Sequence, residues 1–156
     1  MKIHSLSKYL LAYLLWVILL ALGFLFNTLA QNAFEAFLGM LTSQNNRFLF
    51  VRQMIVLDRV FAVLIWLVWL VMMIVSEESF RQGAKAGGLL KRFFRFAGPL
   101  LLGIFVADLY LLSVAGFSAA PWLRWVLLAL ELTLGAGFTW YGRPYGRARN
   151  KIRVHE

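Results

Sequence analysis

A chain of 156 residues with 62% hydrophobic content exceeds the roughly 45–50% apolar share of soluble domains, which places it in a bilayer as one membrane domain rather than two. Sixteen Lys and Arg against seven Asp and Glu give a formal net charge of +9, but the basic residues flank apolar segments, so they serve orientation and anionic lipid and not nucleic acid. No cysteine is present, which excludes disulfides, thiolate metal sites and cysteine nucleophiles.

Residues 9–30 form the first apolar run, preceded by Lys2 and Lys8. The run is longer than the roughly 7–15-residue apolar core of a signal peptide, so an uncleaved transmembrane helix is expected. Residues 31–56 read as an external loop. Two apolar arms, 33–41 with Glu35 embedded and 48–51, flank the polar cluster Thr42, Ser43, Gln44, Asn45 and Asn46. Neither arm is long enough to span, so the stretch is expected to be an interfacial helix or surface loop, a re-entrant hairpin, or an early start to the next helix. The second span covers 57–75, with Asp58 and Arg59 in its first turn. Arg52 and Arg59 share one face of a continuous helix, where they contact lipid headgroups or a partner.

Residues 76–96 form a basic cytoplasmic loop in which Arg81, Lys85, Lys91, Arg92 and Arg95 are further headgroup or partner contacts. Gly83, Gly87 and Gly88 each weaken a helix by about 1 kcal/mol, so a short surface helix and a glycine hinge are expected before a basic-aromatic anchor. The third span covers 97–116, with Pro99 tolerated in its first turn. After a tight connection at 118–120, Pro121 opens the fourth span, 121–141. Trp122, Trp125, Trp140 and Tyr141 mark its two ends as an interfacial belt. The tail 142–156 is basic, and no regular structure is assigned to it.

Orientation follows from the basic residues. With both termini and 76–96 in the cytoplasm, twelve of the sixteen Lys and Arg lie inside, and only Arg47, Arg52, Arg59 and Arg124 lie outside. The expected architecture is an all-α integral membrane protein of the plasma (inner) membrane. It has four transmembrane helices in two antiparallel hairpins, N-in and C-in.

Asp108 sits near the middle of the third span and Glu131 near the middle of the fourth. A charge at that depth costs roughly 2.5–3.5 kcal/mol on insertion scales and marks a functional site. Counted from the turn at 1.5 Å per residue, both carboxyls lie roughly 16–18 Å deep, so they can face one another. No Lys, Arg or His stands in the middle of a span to neutralise them. Three readings follow: a proton or cation site, contact with a basic residue of a partner, or protonated carboxyls bonded to Tyr110, Ser113 or Thr133. Small residues recur every four positions as packing faces, Gly103 and Ala107 on the third helix and Ala129, Thr133 and Gly137 on the fourth.

His4 and His155 lie at the cytoplasmic ends, so no histidine is placed to hold a haem or to act as an intramembrane base. No metal-ligand spacing, phosphate loop or nucleophile elbow appears, so no metal, cofactor or catalysis is expected. The run Lys91, Arg92, Phe93, Phe94, Arg95, Phe96, Ala97, Gly98 resembles small four-helix proteins implicated in flipping polyprenyl-phosphate sugars. That resemblance covers one hairpin and implies lipid handling. Residues 31–56 are longer than that family's external connections, and 138–145 only loosely echo its basic-aromatic ending. The residues themselves favour a non-catalytic subunit or accessory factor of a larger membrane complex, in contact with anionic lipid and with other subunits or further copies of itself. A small transporter or channel component using Asp108 and Glu131 is the alternative.

Overall fold

The computed structural model describes residues 3–44, 48–117 and 121–143. They form four α-helices: α1 (Ile3–Gln44), α2 (Phe48–Ala86), α3 (Leu89–Ala115) and α4 (Trp122–Gly142). Three of these, α1, α2 and α3, are long and apolar enough to cross a membrane. α4, 21 residues with Arg124 and Glu131 within it, is not one of them. Lys2, Asn45, Asn46, Arg47, the connection at 118–120 and the tail from 144 onward, with Arg147, Arg149, Lys151, Arg153 and His155, lie outside the described residues.

The external loop expected at 31–56 is instead helical where it is described. Residues 31–44 extend α1 and 48–56 open α2. The two helices have 42 and 39 residues, about 63 and 58 Å at 1.5 Å per residue, roughly twice the 30 Å hydrocarbon core of a bilayer. No proline interrupts the extension of α1, and Gln31 and Glu35 are good helix formers. Thr42 and Ser43 return their hydroxyls to the carbonyls of Gly39 and Met40 at 3.0 and 2.8 Å, so they sit in the helix without competing for its termini. Phe34 stacks on Phe61 with ring centroids 4.0 Å apart, which packs the extension onto α2.

The cytoplasmic loop expected at 76–96 is also mostly helical. The break is confined to Gly87 and Gly88, both at φ +83°, a left-handed conformation that glycine adopts without a Cβ clash. Gly83 stays inside α2 and serves packing, since a Cβ there would stand 2.9 Å from Cδ of Arg92. Arg92 also donates from Nη1 to the Ser79 carbonyl at 2.7 Å. The glycine pair is therefore a braced corner and not the expected hinge.

A stripe on α1 at spacing four, Leu15, Leu19, Gly23 and Asn27, is buried, as one face of a 3.6-residue helix requires. Leu15 and Leu19 pack with Phe80 of α2 and with Phe93, Ala97 and Leu100 of α3. Gly23 admits Trp69 of α2, whose Nε1 lies 2.7 Å from where a Cβ would stand. The backbone of α3 comes close to α1 and α4 and least to α2, while α4 approaches α3 alone. The helices thus form an open row, α2, α1, α3, α4, and not a closed four-helix bundle. Gly98, Gly135 and Gly142 make the α3–α4 seam. Cβ atoms there would meet the backbones of Thr139, Leu102 and Arg95 at 2.6, 3.0 and 2.7 Å, the close approach that small residues permit between membrane helices.

Candidate functional site

The seam sets the relative depth of the two acids. Gly142 meets Arg95, Thr139 meets Gly98 and Gly135 meets Leu102, so each step forward on α3 is a step back on α4. Asp108 is then level with Ala129, and Glu131 lies about 3 Å below it, within one turn. The acids are not without a basic partner, as the apolar patterning had implied. Nη2 of Arg124 donates to Oδ1 of Asp108 at 2.9 Å. Counting Cα levels hides this pairing, because a guanidinium sits at the end of a long arm. Arg124 stands about 7 Å nearer the turn than Asp108 at 1.5 Å per residue, and its side chain reaches down instead of snorkelling outward. Asp108 is 15% exposed and Arg124 37%, so the pair is half-sheltered.

Glu131 is the acid left over, and its Oε2 is buried without a hydrogen-bond partner. The bonds expected from Tyr110, Ser113 and Thr133 to the acids are not made. Ser113 donates to the Tyr110 carbonyl at 2.6 Å, Thr133 donates to the Ala129 carbonyl at 2.8 Å, and the Tyr110 hydroxyl is buried without a partner. The arrangement joins α3 to α4 through one ion pair and leaves Glu131 outside it.

The pair belongs to a charged level that crosses all four helices. Phe34, Phe37, Phe61, Ala107 and Tyr110 line one groove between α1, α2 and α3. Glu35 adjoins Phe34, Asp58 and Arg59 lie within a turn of Phe61, and Asp108 lies within a turn of Tyr110. Beyond this level, toward the α1–α2 and α3–α4 connections, exposed apolar side chains return beside the exposed Ser43, Arg52 and Gln53. Phe37, Met40, Ile55, Val56, Phe117, Trp122 and Trp125 are all exposed there, and Phe117 stacks on Trp125 at 5.8 Å.

The expected headgroup and packing residues scatter. Arg52, Arg59, Arg81, Lys85 and Arg95 are exposed, and Lys91 is half-buried. Arg92 is spent on the Ser79 carbonyl. Gly103 accommodates the Phe26 ring of α1, with Ala107 buried one turn on. On α4 the expected small face points away from the row: Ala129, Thr133 and Gly137 are exposed, and a Cβ at Gly137 would meet nothing within 4 Å. The buried positions of α4 are Leu128, Gly135 and Gly142. Gly137→Ala is therefore expected to raise helix stability by roughly 0.5–1 kcal/mol, read as a higher unfolding midpoint in detergent.

Asn27 carries chemistry that patterning hints at only through its place on the buried stripe. It is 1% exposed, and neither its Nδ2 nor its Oδ1 has a partner. A buried amide without a hydrogen bond costs on the order of 1–3 kcal/mol. Trp69 Nε1 is buried and unpartnered as well. Both residues line a cavity of about 300 Å³ between α1, α2 and α3, with Arg95 and Phe96 also in its wall. Among the described residues, no group of three His, Cys, Asp or Glu could hold a metal ion. No family model matches the chain, and neither a curated protein nor a solved structure does so.

Proposed function

We propose that this chain is a non-catalytic subunit or accessory factor of a larger membrane complex. In this reading it spans a plasma membrane four times, as two antiparallel hairpins with both termini in the cytoplasm. One observation carries the proposal. Exposed apolar side chains run along α1 from Leu10 to Leu25 and return at Phe37 and Met40, past the exposed Thr28, Asn32 and Glu35. Leu10 to Met40 is about 45 Å at 1.5 Å per residue, whereas lipid tails cover only about 30 Å. Placing the charged level of Glu35, Asp58, Arg59, Asp108 and Arg124 at the outer interface leaves the apolar side chains above it outside the hydrocarbon. Exposed apolar patches of that kind mark protein contacts. The open row adds to this, since it leaves α4 covered on the α3 side only.

Purification of the full chain in mild detergent is expected to recover a stoichiometric membrane-protein partner. Phe37→Glu with Met40→Glu is expected to release that partner while leaving helix content unchanged. A strictly monomeric particle with no partner overturns the proposal, and a uniform oligomer of this chain alone puts a second copy in the partner's place. The topology has its own test, made simple by the absence of cysteine. Lys85→Cys and Arg143→Cys are expected to react with a membrane-impermeant maleimide only after the membrane is opened, and Trp122→Cys in intact cells. The reverse pattern would invert the orientation.

The transporter reading keeps less support. With Asp108 paired to Arg124, only Glu131 remains to bind a proton or cation, and Glu131→Gln in reconstituted vesicles tests it directly.

A further inference from the structure

We infer that the cavity between α1, α2 and α3 is a binding site for one anionic glycerophospholipid held by its ester carbonyl. This inference needs the chain to sit in a bilayer, but it does not depend on the accessory role.

Asn27 and Trp69 line the same cavity, and Nδ2 of Asn27 and Nε1 of Trp69 are buried N–H donors without a partner. Buried polar groups find partners, and hydrocarbon tails supply none. The remaining wall, including Phe26, Ile65, Val68, Met72 and Leu100, is apolar, which suits an acyl chain. Arg95 also lines the cavity, is exposed, and makes no ion pair among the described residues. It stands one turn from Pro99 and Leu100, which line the cavity with Asn27. Two such donor-bearing side chains in an apolar cavity that also has Arg95 in its wall call for a particular ligand: an anionic head, then a hydrogen-bond acceptor a few ångströms below it, then a chain. A glycerophospholipid has that order, with phosphate, ester carbonyl and acyl chain. A polyprenyl phosphate offers no acceptor below its phosphate and leaves both donors empty. α2 comes close to α1 and much less to α3, which gives a lipid a lateral way in from the bilayer.

The test uses the full chain in detergent, with native mass spectrometry of lipid retention. The probes are diacyl phosphatidylglycerol, its dialkyl ether analogue, which lacks the carbonyl, and a polyprenyl phosphate. The ester lipid is expected at one per chain and at least tenfold tighter than either competitor. Asn27→Leu is expected to abolish the ester-over-ether preference while helix content stays unchanged. It is also expected to raise the melting temperature of the lipid-free protein, because an unsatisfied amide is replaced by an apolar side chain. Trp69→Phe removes one donor and keeps most of the ring bulk, so it is expected to lower the preference about threefold even if Asn27→Leu fails to fold. Arg95→Gln is expected to weaken ester and ether lipid equally. Equal retention of ester and ether lipid by the unmodified chain overturns the inference. So does an ester preference that survives both the Asn27 and the Trp69 substitutions, or tightest binding of the polyprenyl phosphate.

Discussion

Gly98→Val is expected to open the seam between α3 and α4. A Cβ at position 98 would stand 2.6 Å from both the backbone nitrogen and Oγ1 of Thr139, and 3.0 Å from its Cα. The obstacle is backbone, so no rotamer change relieves it, and α4 itself must move. Overpacking in a filled core costs roughly 1–3 kcal/mol. The consequence is larger here, because α3 is the helix whose backbone α4 approaches. The expected readouts are a lower unfolding midpoint in a detergent titration and protease access to α4 at conditions where the unmodified chain resists. Gly103→Ala is the internal comparison. Its Cβ would meet Cε2 of Phe26 at 2.6 Å, the edge of a side chain that can swing aside, so a smaller loss is expected. Equal losses at the two positions would mean that the α3–α4 seam is no tighter than the α1–α3 contact.

The second large effect is expected at the ion pair. Arg124→Met leaves Asp108 in a half-sheltered site with no cation, and removing one partner of such a pair costs far more than replacing both. Because Arg124 is 37% exposed, the expected loss is about 1–2 kcal/mol, toward the weaker end for such pairs. Asp108→Asn in the Arg124→Met background is expected to recover most of it. A double-mutant cycle built on unfolding midpoints would then give a coupling of about 1 kcal/mol. Strictly additive losses would show that the 2.9 Å contact carries no stability. Glu131→Gln belongs in the same series as a control, since Glu131 shares the depth of Asp108 but not its partner.

Where the sequence could be read and where it could not has physical reasons. The interior of the apolar runs was legible, because long apolar stretches have few alternatives to helix in a bilayer. The helix break at Gly87 and Gly88 was legible because paired glycines punctuate a helix, but it was expected as a hinge within a loop and not as a corner between two long helices. The continuity of α1 beyond Gln31 was not. Its polar residues looked like a loop by composition, yet none of them breaks a helix, and the Phe34–Phe61 stack that holds the extension joins residues distant in sequence. The equal depth of Asp108 and Glu131 came from counting residues about the turn, and the seam keeps them within a turn of each other. The reach of Arg124 to Asp108 lay outside such counting, since it depends on side-chain length and on how α4 is rotated about its axis. Rotation also decided the small faces. Gly103 and Ala107 turn toward α1, whereas Ala129, Thr133 and Gly137 turn outward. Asn27 could have been flagged as the polar member of a stripe at spacing four, and its loss of all partners needed the positions of α2 and α3.

The corner at Gly87 and Gly88 has a mechanical consequence. Arg92 ties the start of α3 to the Ser79 carbonyl and lies across Gly83, so the two helices meet at a fixed angle on both sides of the glycines. A displacement of α2 at this end is then expected to carry α3 with it, and α4 through the glycine seam. Arg92→Ala would turn that joint into a pivot, leaving α2 and α3 free to swing independently.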